Sequence, residues 1–224
     1  PLTTTSQGAV ESQVIFLTAQ SSTISDTARK FVWTTTGDSK PKTFNPFGFN
    51  PASLVTSYVP SLHGGSAYFD GTGDYLTIAN STTQQLMYNF TIECWVYLIS
   101  ATTSYFFSMG QTGIGQLGIA IFASAADWRM QIGTATAVTT VINTATIKLN
   151  QWYHVAVSRN NTTIRMYVNG VPLTTVATVS ATLTGIAGSG IVIGGFYNGT
   201  FSATSAGYLS DVRVTHTSSI TNPP

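Results

Sequence analysis

Charge is what this chain has least of. Only 8% of its 224 residues are Asp, Glu, Lys or Arg, against about 25% in an ordinary soluble domain. Nine basic and eight acidic residues nearly cancel, leaving a formal net charge of +1. The basic ones are thinly spread, Arg29-Lys30 and the Lys40/Lys42 pair being the nearest to a cluster. No stripe of Lys and Arg interleaved with aromatics exists to follow a phosphate backbone, so nucleic acid is not an expected partner. Cysteine is almost missing: Cys94 alone rules out an internal disulfide framework and any CxxC metal site. It lies in the strand-like run Phe90 to Tyr97 with no histidine near it in sequence, which predicts a small buried hydrophobe and not a nucleophile. Long apolar runs are missing too; none approaches the ~20 residues of a membrane span. The opening Pro1-Leu2-Thr3-Thr4-Thr5 lacks the basic-then-apolar pattern of a signal peptide, so none is expected there.

Histidines number three, His63, His154 and His216, too dispersed to predict a zinc site. No Gly-x-Ser-x-Gly elbow precedes a helix, and sustained apolar spacing of the helical kind occurs nowhere, which removes the serine hydrolase reading. His154 lies within a strand pattern and is expected to be a satisfied, half-buried residue.

What the chain does have is 43% hydrophobic residues, rich in β-branched and aromatic types, with turn signals every ~8–12 residues. Val14 to Thr18 reads as a short buried strand. Phe31 to Thr35 and Lys42 to Phe44 read as a hairpin about Gly37-Asp38, and Ser66 to Phe69 with Tyr75 to Ile78 as a hairpin about the Gly-rich Asp70-Gly71-Thr72-Gly73-Asp74 turn. Between them residues 45–65 read as a long ordered loop pinned by Phe47 and Phe49. Thr91 to Ile99 alternates as a strand. Tyr105 to Met109, Gly115 to Phe122, Trp128 to Ile132, Gln151 to Arg159, Thr163 to Val168, Ile191 to Gly195 and Gly207 to Val214 follow, Asn169-Gly170 marking a type I′ turn. About a dozen strands and no helix predict an all-β fold, a two-sheet antiparallel jelly-roll β-sandwich. Residues 1–65 are expected to add N-terminal strands and the long loop to the same sandwich, whose core is 66–224. Trp95 and Trp152 are expected to fill the space between the sheets.

Four ordered pieces, Ala67 to Leu76, Phe90 to Val96, Gln151 to Val157 and Met166 to Gly170, closed by Gly207 to Val214, resemble the laminin-G-like branch of the concanavalin A-like lectin and glucanase superfamily. The wording, with Phe16 to Gln20, the Lys42 to Phe47 lead-in and Phe69 to Leu76, also resembles laminin-G-like domains of tailed-phage virion proteins. That resemblance implies a non-enzymatic surface protein of the virion, a capsid decoration or tail fibre component, assembled in the host cytoplasm with other virion proteins and as a homo-oligomer. A receptor- or glycan-binding module is the alternative, with a host-surface glycan as partner. The superfamily includes glucanases, whose catalysis needs two carboxylates flanking one bond. Glu11 and Glu93 are the only glutamates, and no second acid follows Glu93 on its strand face, so an enzyme is not expected. Relatives often hold calcium at a sheet edge, which makes Asp70, Asp74 and Asp211 the candidate ligands, calcium being the one cofactor considered. Tyr105, Trp128, Tyr197 and Asn198 are the candidate glycan contacts, aromatics for stacking and an amide for hydroxyls.

Overall fold

The computed structural model describes residues 14–18, 24, 31–42, 44, 46, 65–79, 86, 88–110, 116–144, 146–183, 190–203 and 205–216. Among these there is no helix. In chain order the strands are β1 (Val14–Thr18), β2 (Thr34–Thr36), β3 (Lys40–Lys42), β4 (Ser66–Asp70), β5 (Tyr75–Ile78), β6 (Phe90–Leu98), β7 (Ser104–Met109), β8 (Ile119–Ser124) and β9 (Asp127–Gly133). They continue with β10 (Val138–Thr144), β11 (Trp152–Asn160), β12 (Thr163–Val168), β13 (Val171–Thr178), β14 (Ile191–Ile193), β15 (Gly195–Tyr197), β16 (Phe201–Ala203) and β17 (Ala206–His216). An eight-stranded sheet runs β13-β12-β11-β6-β17-β4-β3 with β1 also on β17, and a seven-stranded sheet runs β10-β9-β8-β7-β14-β5-β2. Every pairing is antiparallel. The expected jelly-roll sandwich is what the chain forms.

Alternation of side chains decides which face meets the core. In β6 the residues Phe90, Ile92, Cys94, Val96 and Leu98 are buried, and Thr91, Glu93, Trp95 and Tyr97 between them are half-buried. That pattern is the mark of a strand with one face in the core and one towards solvent. Cys94 is accordingly buried, and burial pushes its thiol far above the ordinary value, which leaves no thiolate for chemistry. Across the gap, Trp128, Met130 and Ile132 of β9 and Ile119, Ile121 and Ala123 of β8 join the same core cluster. The other face of β8 is not bare: Ala120 and Phe122 pack with Phe196 in a second, smaller cluster beneath the β15–β16 hairpin.

Two expected hairpins are instead crossings between sheets. β2 pairs with β5 in the seven-stranded sheet, while β3 pairs with β4 in the eight-stranded one. β4 in turn pairs with β17, and β5 with β14. The turns at 37–39 and 71–74 therefore carry the chain from one sheet to the other. Local turn residues are the same for a hairpin and for such an arch; the distant strands β17 and β14 decide between them. The true hairpin turns include Asn169-Gly170, with φ of 50° and 78°, as the type I′ geometry requires. Ala125-Ala126 joins β8 to β9 with φ of 51° and 66°, where no glycine signals the left-handed conformation. β10, β13 and the β15–β16 pair were not among the expected strands. The long loop expected over 45–65, with Phe47 and Phe49, lies outside the described residues save 46 and 65.

Candidate functional site

The outer face of the eight-stranded sheet carries a row of aromatic rings. Pairing sets Trp152 of β11 opposite Tyr97 of β6, Tyr97 opposite Tyr208 of β17, Tyr208 opposite Tyr68 of β4, and Tyr68 opposite Lys40 of β3. Neighbouring strands lie ~4.8 Å apart, so the four rings span about 14 Å perpendicular to the strands. Their centroids are 5.5 Å apart for Tyr97–Trp152, 5.8 Å for Tyr97–Tyr208 and 5.0 Å for Tyr68–Tyr208. All four residues are half-buried, showing a face or edge to solvent. Burial, reinforced by the neighbouring Tyr68 and Tyr97, pushes the Tyr208 hydroxyl above its ordinary value. Phe44 lies over the middle of the row, and the Lys42 ammonium sits 5.8 Å from the Tyr68 centroid, within cation–π range. Trp95 and Trp152 thus belong to the outer face and not to the expected space between the sheets. Trp95 shares the parity of Glu93 on β6, and a carboxylate would not be placed in the core without a partner.

Further along the same face, register brings Ala156, Glu93 and Arg213 into one row and His154, Trp95 and Ser210 into the next. Glu93 takes an ion pair from Arg213 on Oε1, and His154 Nε2 lies 3.2 Å from its Oε2. The Trp95 ring tilts against His154 with centroids 5.2 Å apart. His154 is half-buried and satisfied, as expected. Burial pushes the Glu93 carboxyl up, but the His154 and Arg213 partners outweigh it and hold it below the ordinary value near 4.5. The fold therefore favours the ionised form, and the stability this contributes is complete above that ordinary value and is lost as pH falls through the lower one. Glu93→Gln should cost about 1–2 kcal/mol at neutral pH, a loss of charge-assisted hydrogen bonds. The gap in melting temperature from the wild type should close as pH falls below the ordinary carboxyl range. A gap independent of pH would show that the ionised carboxylate is not what matters.

The expected calcium ligands do not come together as a set. Asp70 and Asp74 cluster with Asp38, ligand atoms within 4.8 Å of one another, while Asp211 sits at φ 50° beside the bulge in β17 and is not of the group. Each clustered carboxylate already has a polar partner. Asp74, 1% exposed, accepts the Asp38 amide on Oδ1 at 2.6 Å and the Asp70 amide on Oδ2 at 3.0 Å. Asp70 Oδ1 accepts the Thr72 amide at 2.6 Å, and Lys40 Nζ pairs with Asp38 Oδ2 at 3.1 Å. Burial pushes the Asp74 carboxyl above its ordinary value. Calcium takes six to eight oxygen ligands, with backbone carbonyls and waters counted beside carboxylates. In the structure the three carboxylates bond amides and an ammonium, and so act as a staple between the two arches. Asp38 escaped the sequence reading because it acts 36 residues from Asp74.

Of the expected glycan contacts, Trp128 is displaced by the structure: it is 1% exposed and packs in the core, so its face is closed to a sugar. Tyr105 is half-buried and stacks on Phe196 at 4.9 Å and 13°, as part of the smaller cluster. Tyr197 and Asn198 lie at the β15–β16 turn, where Phe201, 42% exposed, meets Tyr197 at 5.0 Å and Tyr75 at 4.6 Å. Tyr68, Tyr97 and Tyr208 were missed as a group. Their parity is readable within each strand, but the row exists only once the order β11-β6-β17-β4 is known.

The two-sheet jelly-roll sandwich is the architecture of the concanavalin A-like lectin and glucanase domains. The chain belongs to the laminin G-like family of the concanavalin A-like lectin/glucanases superfamily, whose model matches residues 70–219. No curated protein matches it in sequence. Among solved structures it is similar to the binding domain of botulinum neurotoxin serotype D, at 11% identity and a TM-score of 0.62, covering 92% of this chain and 49% of that one. It is similar to the botulinum neurotoxin DC binding domain in complex with rat synaptotagmin II, at 14% identity, a TM-score of 0.59 and coverage of 92% and 49%. A structure of botulinum neurotoxin type C, whose cell entry depends on interaction with two ganglioside molecules, matches at 14% identity, a TM-score of 0.59 and coverage of 94% and 49%. At such identities the likeness is one of fold. The chain spans about half the length of these structures.

Proposed function

We propose that this chain is a non-catalytic glycan-binding module whose ligand lies across the Trp152–Tyr97–Tyr208–Tyr68 row. The row carries the reading. Pyranose rings present an apolar C–H face that stacks on aromatic side chains and a rim of hydroxyls for hydrogen bonds, and a half-buried row of tyrosines and a tryptophan offers both. The lectin-like fold supports it, as does its likeness to the receptor binding domain of a botulinum neurotoxin. Glu93 does not suit a glycosidase acid, because such an acid needs a raised pKa and the Arg213 and His154 pairs lower this one.

The setting we propose is the surface of a phage particle, in many copies and in contact with other virion proteins, where a host-surface glycan is the partner to be met. The low charge supports dense packing, since little charge is desolvated when such surfaces are covered. Purified particles should contain the chain in stoichiometric amount; a chain left in the lysate would end that placement and leave the glycan reading intact.

A carbohydrate array followed by calorimetry tests the face itself. Trp152→Ala and Tyr208→Ala should each weaken the best-bound glycan by about tenfold to a hundredfold, as loss of a stacking anchor does. Melting temperatures should change little, both residues facing outward. An array without a single binder, or variants that bind as the wild type does, would end this reading.

A further inference from the structure

The four rings of the row are side chains of the sheet itself, but Phe44 is not. It comes from beyond β3, and its centroid lies 4.8 Å from Tyr97, 5.3 Å from Trp152 and 4.9 Å from Tyr208. One side chain thus covers the middle of the row. Its backbone is anchored, the buried Ser66 hydroxyl donating to the Phe44 carbonyl. The residue is still 41% exposed, one side of the ring on the row and the other in water. Trp152 Nε1 is meanwhile buried with no hydrogen-bond partner among the described residues. A phenyl ring offers it no lone pair, and a buried donor without an acceptor is a standing penalty.

We infer that Phe44 is a resident stand-in for a sugar ring and sets the affinity of the row by competing for it. This rests on the reading of the row as a glycan face. A pyranose in the place of Phe44 keeps the stacking on Trp152, Tyr97 and Tyr208 and adds a hydroxyl oxygen for the indole N–H. Its binding is reduced by what displacing Phe44 costs, so the residue at 44 tunes affinity without belonging to the platform.

Cellohexaose and chitohexaose, both β-linked pyranose chains with open C–H faces, are the probes, titrated calorimetrically into the full chain. Phe44→Ala should bind about tenfold more tightly than the wild type, the size of one hydrogen bond made without competition. Phe44→Trp, a larger cover, should bind more weakly, and Trp152→Ala should bind about tenfold to a hundredfold more weakly than the wild type, as loss of a stacking anchor does. Acrylamide should quench indole fluorescence more strongly in Phe44→Ala, with no drop in melting temperature. Weaker binding by Phe44→Ala with tighter binding by Phe44→Trp would make Phe44 part of the platform; that, equal affinities or unchanged quenching overturns this inference and leaves the glycan face standing. Binding left undiminished by Trp152→Ala, or none by either the wild type or Phe44→Ala, overturns the glycan face and the inference together.

Discussion

Trp128→Ala should destabilise the fold by about 3–5 kcal/mol, the usual cost of truncating a large buried aromatic. Its indole is 1% exposed. It meets the Phe106 ring at 6.0 Å and the Tyr153 ring at 5.2 Å and 68°, an edge-on contact. Tyr153 in turn accepts the Lys148 amide at 2.9 Å and the Gln151 side chain on its hydroxyl. Removing Trp128 therefore leaves a cavity and also loosens the ring that ties down the approach to β11. The loss is large against the roughly 5–15 kcal/mol that holds a domain folded. Denaturant titration reads it directly, and a change below about 1 kcal/mol would mean that the core closes over the gap. Trp152→Ala should do the reverse, costing little stability and most of the glycan binding. Two tryptophans 24 positions apart in sequence are thus separated by function, because one points between the sheets and the other away.

That distinction was only half legible in the sequence. Binary alternation in β6 is plain, since Phe90, Ile92, Cys94, Val96 and Leu98 are all apolar and Thr91 and Glu93 are not. Reading the parity one step further would have put Trp95 and Tyr97 outside with Glu93. Trp152 is harder. It stands at the start of β11, and its side is fixed by pairing with Tyr97, a contact between distant segments. Trp128 follows the same logic: Trp128, Met130 and Ile132 share one parity, and the buried Met and Ile argue for a core position. A lone aromatic beside a turn at Ala125-Ala126 has the look of an exposed loop residue, and that local context misled. The arches failed for a related reason. Asp70-Gly71-Thr72-Gly73-Asp74 has the turn chemistry of a hairpin, and whether β4 and β5 pair with each other or with β17 and β14 is settled by tertiary packing, not by the turn.

Asp74→Ala carries the other large expected effect, because one carboxylate serves both arches. The Asp38 amide, leaving β2 for β3, and the Asp70 amide, leaving β4 for β5, both donate to it. Losing the acceptor strands two donors; water can reach part of this turn, so the expected cost is about 2–3 kcal/mol and not the sum of two fully buried losses. Gly37 has φ of +74°, and a Cβ built on it would lie 2.0 Å from Asp74 Oδ1 and 2.9 Å from the Gly73 carbonyl. Gly37→Ala should therefore destabilise as well, partly through the left-handed backbone and partly by pushing the carboxylate off its amides. Because both variants break the same staple, the double variant Gly37→Ala/Asp74→Ala should cost clearly less than the two singles added together. Additive costs would mean that the arches are held independently. Calcium at millimolar concentration should leave the melting temperature of the wild type unchanged if the staple keeps its amides, both Asp74 oxygens accepting hydrogen bonds from the backbone; a rise abolished by Asp74→Ala would instead show the cluster to be a cation site that exchanges its amides for metal.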